Sequence, residues 1–481
     1  MGSTITLPTW LVLLAGILAF AGLFDRLLNP AVRWYLQSRA NVAIDELNSK
    51  LRLKIRPFKV TTRQVLIDRL AHDPQVIAAA EAYAREAGMP VSVAMADAAR
   101  YAREIVPAFS AYTYFKIGAR LARWVSTSLY RVRLAFADRA LLETMDTDAT
   151  VVFVMNHRSN MDYILVTYMA STATALSYAV GEWARIPVLQ MLIRSMGAYF
   201  IRRSSRNLLY RKVLARYVQM ATQAGVTQAM FPEGGLSRDG KLRPVKLGLI
   251  SYMVEGFDPR GRDVMFIPVG LNYDRVLEDR TLVSEIDGPP PKEPFYSTAV
   301  KTMGFLWRNL RLRLKGRWHK FGYACVAFGN PLSLRDYLFN HGASHFDDLD
   351  EPAQTVVIAG LGDELMARIG KVVPAMPVSL VANVLREAGD AGIDMLSLKA
   401  AVDRLMDRLD RLGVHVHVPR SDRDYAVTAG LRMFTLRKLV EEDADGVFRV
   451  VKGEERLVAY YANSLAHYGG DETGGHAKAV S

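Results

Sequence analysis

Val151-Val152-Phe153-Val154-Met155-Asn156-His157-Arg158-Ser159-Asn160-Met161-Asp162-Tyr163 is the stretch on which the fold turns. An apolar run rich in β-branched residues breaks into a polar turn, and a helical pattern follows. Such a run, bounded by turn residues, reads as a buried strand. Thr150–Met155 is therefore the first strand, with His157 at its carboxyl end, where open α/β sheets place their ligands. Further strand-like runs occur at Thr227–Phe231, Val264–Val269 and Tyr323–Phe328, separated by helical stretches. That alternation predicts an α/β fold, a sheet flanked by helices.

Upstream, Thr61 to about Leu134 has helical spacing, with starts marked by Asp73-Pro74 and Met89-Pro90-Val91-Ser92. Gly288-Pro289-Pro290-Pro291 demands a loop. After Phe328-Gly329-Asn330-Pro331 the pattern is mostly helical again, and a Gly-rich polar tail begins at Gly469. These shifts divide the chain into a membrane anchor (1–28), an N-terminal helical region (29–135), a sheet domain (136–335), a C-terminal helical region (336–468) and a disordered tail (469–481).

The anchor is Leu7–Phe24, uncharged and almost wholly apolar. At about 1.5 Å per residue it reaches across most of a ~30 Å hydrocarbon core. Ala19-Phe20-Ala21 resembles a signal cleavage site, but no Lys or Arg precedes the run. Arg26, Arg33 and Arg39 all follow it, which puts the body of the chain at the cytoplasmic face of the inner membrane. Tyr163–Val180 is also uncharged. It reads as a buried helix running into a strand rather than as a second span.

Half of the 481 residues are hydrophobic, and the net charge is +12. The positive excess suits phosphorylated small molecules and anionic lipid headgroups. No nucleic-acid-binding signature accompanies it, so nucleic acid is not expected. Cys325 is the sole cysteine, which excludes an intrachain disulfide and a cysteine-based zinc site. His415 with His417, and His341 with His345, are the candidate metal pairs, and neither has a third ligand at suitable spacing. No metal or cofactor is expected.

His157 and Asp162 carry the sharpest chemical signal. On one continuous helix, five residues would set their side chains ~140° apart. They meet only if Arg158-Ser159-Asn160 forms a turn. A carboxylate on one imidazole nitrogen then leaves the other as a general base facing a cleft, the triad arrangement with a substrate hydroxyl replacing serine. Without a turn, the pair is merely a strand-end histidine and a helix-capping aspartate. Gly197-Ala198-Tyr199-Phe200-Ile201-Arg202-Arg203 adds two adjacent arginines able to hold a phosphate bidentately. Phe231-Pro232-Glu233-Gly234-Gly235-Leu236-Ser237-Arg238-Asp239-Gly240-Lys241 adds glycines that allow close approach to an anion, flanked by Arg238 and Lys241.

These motifs, in this order, resemble those of the glycerol-3-phosphate and dihydroxyacetone-phosphate acyltransferases. His157-Arg158-Ser159-Asn160-Met161-Asp162-Tyr163 resembles the family's His-x4-Asp motif, Gly197–Arg203 its second and Phe231–Gly234 its third. Ile267-Pro268-Val269-Gly270-Leu271-Asn272-Tyr273-Asp274-Arg275 resembles the fourth. Phe328–Ser333 looks like the strand and turn closing the family's domain, and Leu457–His467 like its C-terminal helix. The resemblance implies a mixed sheet flanked by helices, with His157 as general base and Asp162 as its orienting partner. It implies a phosphate site of Arg158, Arg202, Arg203, Arg238 and Lys241. Glu233 and Gly234 would place the glycerol end, and Pro268 would shape the acyl-donor side. Leu236 departs from the family, which often has arginine there.

The reaction so implied is transfer of a fatty acyl chain from coenzyme A or acyl carrier protein to the sn-1 hydroxyl of glycerol 3-phosphate, at a lipid bilayer. Dihydroxyacetone phosphate or lysophosphatidate as acceptor, and a non-catalytic membrane protein that binds lipid phosphates, are the rival readings.

Overall fold

The computed structural model describes residues 53–136, 146, 148–171, 174–181, 187–202, 205–288, 320–343 and 346–469. The chain divides into two units, Met1–Ile55 and Arg56–Ser481, and the second holds the sheet. The Leu7–Phe24 anchor and most of the tail after Gly469 lie outside the described residues, as does the proline run after Gly288.

A single helical turn, Pro57–Val60, opens the unit, and three longer helices follow: α1 (Arg63–Ala71), α2 (Pro74–Ala87) and α3 (Val91–Ile105). Asp73 caps α2 by accepting from the Gln75 N–H, Pro74 fills its first turn, and Gly88 ends it in a left-handed conformation. A π-helical turn, Thr113–Gly118, leads into α4 (Ala119–Leu129). The helical spacing read as far as Leu134 stops there. Arg131–Phe136 is instead a strand, β1, so the sheet begins inside the region read as helical up to residue 135. Its alternation is too short to stand out beside α4, and only pairing with a distant strand makes it one.

The remaining strands are β2 (Thr150–Met155), β3 (Ser177–Val180), β4 (Tyr199–Phe200), β5 (Gln228–Met230), β6 (Val264–Tyr273), β7 (Tyr323–Phe328) and β8 (Leu332–Ser333). They join β1 in an eight-stranded mixed sheet of order β1-β7-β6-β2-β5-β3-β4, with β8 paired to β6. β2 lies parallel to both β5 and β6, while β7 runs antiparallel to β6. Every residue of β2 is buried, as expected of a parallel strand covered on both faces. The Tyr163–Val180 stretch resolves into α5 (Met161–Ala170) followed by β3. Among the described residues no helix is long and apolar enough to cross a membrane.

Helices α6 (Pro187–Ser195), α7 (Leu208–Gln223), α8 (Gly248–Glu255), α9 (Asp279–Ser284) and α10 (Leu334–Asn340) complete the crossovers. On one side of the sheet, α7 packs against α2 and α3, burying Val213 and Val218 with Ala80, Ala84, Ala94 and Ala98. Arg216 anchors this layer by pairing with Asp73 at 2.8 Å.

The C-terminal region is α11 (Glu351–Val372), α12 (Pro377–Ala388), α13 (Met395–Arg411), α14 (Arg423–Leu436) and α15 (Glu455–Ala462). A small antiparallel sheet, unforeseen in the sequence, sits among them: β9 (Ile393–Asp394), β10 (Val440–Glu442) and β11 (Val447–Val450). This region is laced into the main sheet. A Cβ at Gly270 of β6 would fall 2.3 Å from the Val372 carbonyl, so only glycine lets the end of α11 lie there. Asn272 donates to the Pro374 carbonyl at 2.9 Å, and the Asp274 carboxyl accepts from the Tyr323 and Val378 N–H groups at 2.8 and 3.3 Å.

Candidate active site

The site grows from the end of β2. Asn156, the first residue past the strand, grips β6 with both ends of its amide. It accepts from the Leu271 N–H at 2.7 Å and donates to the Leu271 carbonyl at 2.9 Å. That clamp fixes where the chain leaves the sheet. His157 through Asn160 then form the turn that the sequence required, and Asp162 falls in the first turn of α5. The turn brings Nδ1 of His157 to 2.9 Å from Oδ2 of Asp162.

The same Oδ2 accepts from the N–H groups of Arg158 at 2.7 Å and Ser159 at 3.0 Å, while Oδ1 accepts from the Tyr273 hydroxyl at 2.6 Å. Asp162 is fully buried, and its place at a helix N-terminus favours negative charge. A carboxylate oxygen only accepts, so Nδ1 holds the imidazole proton and Nε2 carries a lone pair. Nothing among the described residues bonds Nε2. The ring is held flat by Phe231, stacked at 3.9 Å, and edge-on by Tyr163 at 5.5 Å. A proton acceptor with a fixed orientation is the result.

The Phe231–Lys241 loop holds the backbone of His157 from both sides. Glu233 accepts from the His157 N–H at 2.9 Å, and the His157 carbonyl accepts from the Ser237 N–H at 3.0 Å. The second oxygen of Glu233 accepts from the Arg243 N–H at 3.1 Å. Both its oxygens are thus committed to backbone, and burial pushes its carboxyl up to about 7. Gly234, with φ of 66°, lies under the side chain of Lys246.

Arg158 is buried behind His157. Its Nη1 donates to the Gly240 carbonyl at 2.8 Å and its guanidinium lies 5.3 Å from the ring centre of Tyr460 on α15. Its Nε and Nη2 are buried with no hydrogen-bond partner among the described residues, which is uncommon for buried donors. The other expected phosphate ligands are dispersed. Arg202 pairs with Glu104 through two contacts, at 2.9 and 2.5 Å, and lies near the rings of Tyr101 and Tyr210. Arg203 lies outside the described residues. Arg238 is half exposed and paired with Glu285 at 3.1 Å, and Lys241 is exposed. Pro268 is buried within β6 opposite Val154, its carbonyl accepting from the Gly329 N–H at 2.8 Å.

Two cavities meet at Tyr163. One, of about 330 Å³, is lined by Arg202, Arg211, Phe231, Gly234 and Lys246. The other, of about 370 Å³, is apolar, lined by Leu121, Met161, Ile164, Leu192 and Met196, with Glu278 at its edge. Tyr163 lines both. Glu278 also braces the turn, accepting from the Ser159 hydroxyl at 2.7 Å and the Asn160 amide at 3.1 Å, and burial raises its pKa.

Lys246, Tyr273, Glu278 and Tyr460 were not singled out from the sequence. Tyr273 and Tyr460 stood within quoted motifs, whereas Lys246 and Glu278 carried no signal at all. Among the described residues no group of three or more His, Cys, Asp and Glu side chains is arranged to hold a metal, and His345 lies outside them.

Two family models match the chain: "Acyltransferase" over residues 138–272 and "Glycerol-3-phosphate acyltransferase C-terminal region" over residues 306–469. Among curated relatives, a glycerol-3-phosphate acyltransferase of Pseudomonas putida is 26% identical over 85% of this chain and 49% of its own length. One of Aeromonas hydrophila is 28% identical over 85% of this chain and 50% of its own. The chain therefore spans about half the length of these relatives. A crystal structure of the 1-acyl-sn-glycerophosphate acyltransferase from Thermotoga maritima is 21% identical, covering 57% of this chain and 83% of that one at a TM-score of 0.28.

Proposed function

We propose that the chain belongs to the glycerol-3-phosphate acyltransferase family, whose models match two of its segments, and that it transfers a fatty acyl group from a thioester to the sn-1 hydroxyl of glycerol 3-phosphate. The observation that carries this is the buried His157–Asp162 pair, whose ring neighbours reach two cavities of different character: Tyr163 lines both and Phe231 lines the basic one. The basic cavity takes the acceptor, its phosphate drawn by Lys246 and Arg211, with Arg158 adding positive charge, while Arg202 is already matched by Glu104. The apolar cavity takes the acyl chain.

Nε2 of His157 removes the hydroxyl proton as the oxygen attacks the thioester carbonyl. The tetrahedral intermediate collapses with cleavage of the C–S bond, and the imidazolium returns its proton to the departing thiolate. Asp162 holds the ring in the tautomer that this needs and stabilises the imidazolium. A thioester carbonyl needs a deprotonated alcohol and a stabilised oxyanion, so the scheme calls for no resident cofactor. Coenzyme A and acyl carrier protein both supply such a thioester. Anchoring through Leu7–Phe24 at the cytoplasmic face of the inner membrane belongs to the same proposal.

The test is acyl transfer by detergent-solubilised protein, wild type beside His157→Ala, with palmitoyl-coenzyme A and palmitoyl carrier protein as donors. Glycerol 3-phosphate, dihydroxyacetone phosphate and lysophosphatidate are offered in parallel. The expected outcome is fastest turnover with glycerol 3-phosphate and a loss of roughly 10²–10⁴-fold in the variant. Preference for another acceptor overturns the substrate assignment. Absence of turnover with every pair overturns the enzyme assignment.

A further inference from the structure

The sequence from Pro107 to Phe136 contains no Asp or Glu, yet it contains Lys116, Arg120, Arg123, Arg131 and Arg133. It comprises the π turn, α4 and the edge strand β1. One stripe of this segment faces inward: Tyr114, Gly118, Ala122 and Ser126 are buried at four-residue spacing. The opposite face is exposed and carries apolar side chains beside Lys116, Arg120 and Arg123. Trp124 is 59% exposed, Tyr112 69% and Ile117 47%, and Met191 on the adjoining α6 is 70% exposed.

At ~100° per residue, Leu121 lies ~60° to one side of Trp124 and Arg120 ~40° to the other, with Arg123 beyond it. A tryptophan flanked by aliphatic side chains on one side and arginines on the other is the pattern of a helix lying in a membrane interface. Lys116, Arg120 and Arg123 make no ion pair among the described residues, so their charge is available to an outside partner. Leu121, 43% exposed, also lines the 370 Å³ apolar cavity beside Tyr163. Leu121 thus belongs both to the cavity wall and to the exposed face that carries Trp124.

We propose that the π turn and α4, with Trp124 at their centre, dock onto an anionic lipid bilayer and open the apolar cavity to it. This contact belongs to the folded unit and is separate from the Leu7–Phe24 anchor. Its role, passing an acyl chain between the bilayer and the cavity, rests on the acyl-transfer reading, but docking itself does not. The positive charge selects the partner: a protein or lipid surface without acidic groups leaves these cations unmatched.

The test uses the full chain with Trp124→Cys carrying an environment-sensitive fluorophore; Cys325 is buried and stays unlabelled. Vesicles of phosphatidylcholine alone are compared with vesicles containing phosphatidylglycerol, some bearing a nitroxide on the lipid. Expected are a blue shift and nitroxide quenching on the anionic vesicles, and affinity lowered roughly tenfold or more by Arg120→Gln with Arg123→Gln. A label that stays water-like on vesicle-bound protein overturns the proposal, since another segment then makes the contact. So does a label already shielded without vesicles, which means that the chain or a second copy covers the stripe. An equal blue shift and equal quenching on neutral vesicles overturns the choice of an anionic surface. Acyl transfer is measured separately in detergent, where the double glutamine variant retains wild-type turnover. A wild type silent in detergent whose label still enters vesicles loses the acyl-transfer reading and keeps the docking surface.

Discussion

Tyr273 donates a 2.6 Å hydrogen bond to the Asp162 oxygen that His157 does not use. The orienting carboxylate is thus held by β6 as well as by its own turn. Tyr273→Phe removes one buried donor and leaves the three on Oδ2. We expect a stability loss of about 1–3 kcal/mol, with turnover down less than tenfold and well short of the His157→Ala loss. Urea unfolding alongside kcat checks this. An effect as large as that of His157→Ala would mean that the tyrosine takes part in the chemistry.

Glu233 sets a pH dependence of stability. Burial pushes its carboxyl up to about 7 from an ordinary 4.5. Between those values the folded chain holds a proton that the unfolded chain has released. Its contribution is therefore full below pH 4.5 and lost as pH rises through 7, by on the order of 3 kcal/mol. Asp274, likewise pushed to about 7 by burial, acts in the same direction. Glu233→Gln removes one of these titrations, so its stability declines less steeply between pH 5 and 7. Denaturant midpoints across that range give the slopes, and equal slopes refute the assignment.

Lys246 supplies an exposed positive charge at the basic cavity, over Gly234. Lys246→Ala is expected to raise KM for glycerol 3-phosphate about ten- to a hundredfold through loss of a charge-assisted contact. KM for the acyl donor and the urea midpoint stay near wild type, and Lys246→Arg restores much of the loss. Unchanged acceptor KM in the alanine variant would remove this lysine from the phosphate site.

Gly240, at φ of 86°, lies where a Cβ would come within 1.9 Å of the Tyr460 carbonyl oxygen. Gly240→Ala must therefore push α15 from the loop that holds Arg158. A loss of several kcal/mol is expected, since both a backbone clash and a left-handed conformation oppose the change. Hydrogen exchange locates the damage: it should rise in the Phe231–Lys241 loop and α15 before the α2–α3 layer. Exchange unchanged at α15 would contradict the packing described here.

The strands at Thr150–Met155 and Tyr323–Phe328 were legible because a buried strand is written as a local run of β-branched and apolar residues. β3 was foreseen only as a strand following a buried helix, and β1 and β4 were not foreseen: β4 has two residues, and β1 follows α4 directly and becomes a strand only by pairing with β7, far along the chain. The same division runs through the site. Arg202 looked like a phosphate ligand beside Arg203, but its nearest charge is Glu104, 98 positions earlier and silent in any local reading. Arg238 likewise found Glu285.

By itself the sequence determined the strand that leads to His157, the turn that His157 and Asp162 need in order to meet, and the order of the motifs that resemble those of the glycerol-3-phosphate acyltransferases. All three are local or ordered along the chain, and local spacing dictates them. The tertiary structure decided which cations stay free to meet an anion, which backbone groups hold the histidine, and that the C-terminal helices complete the surroundings of Arg158. Those depend on groups up to 302 positions apart, as Arg158 and Tyr460 are. Whether a buried charge is matched or left open is settled only when the packed chain brings its neighbours into place.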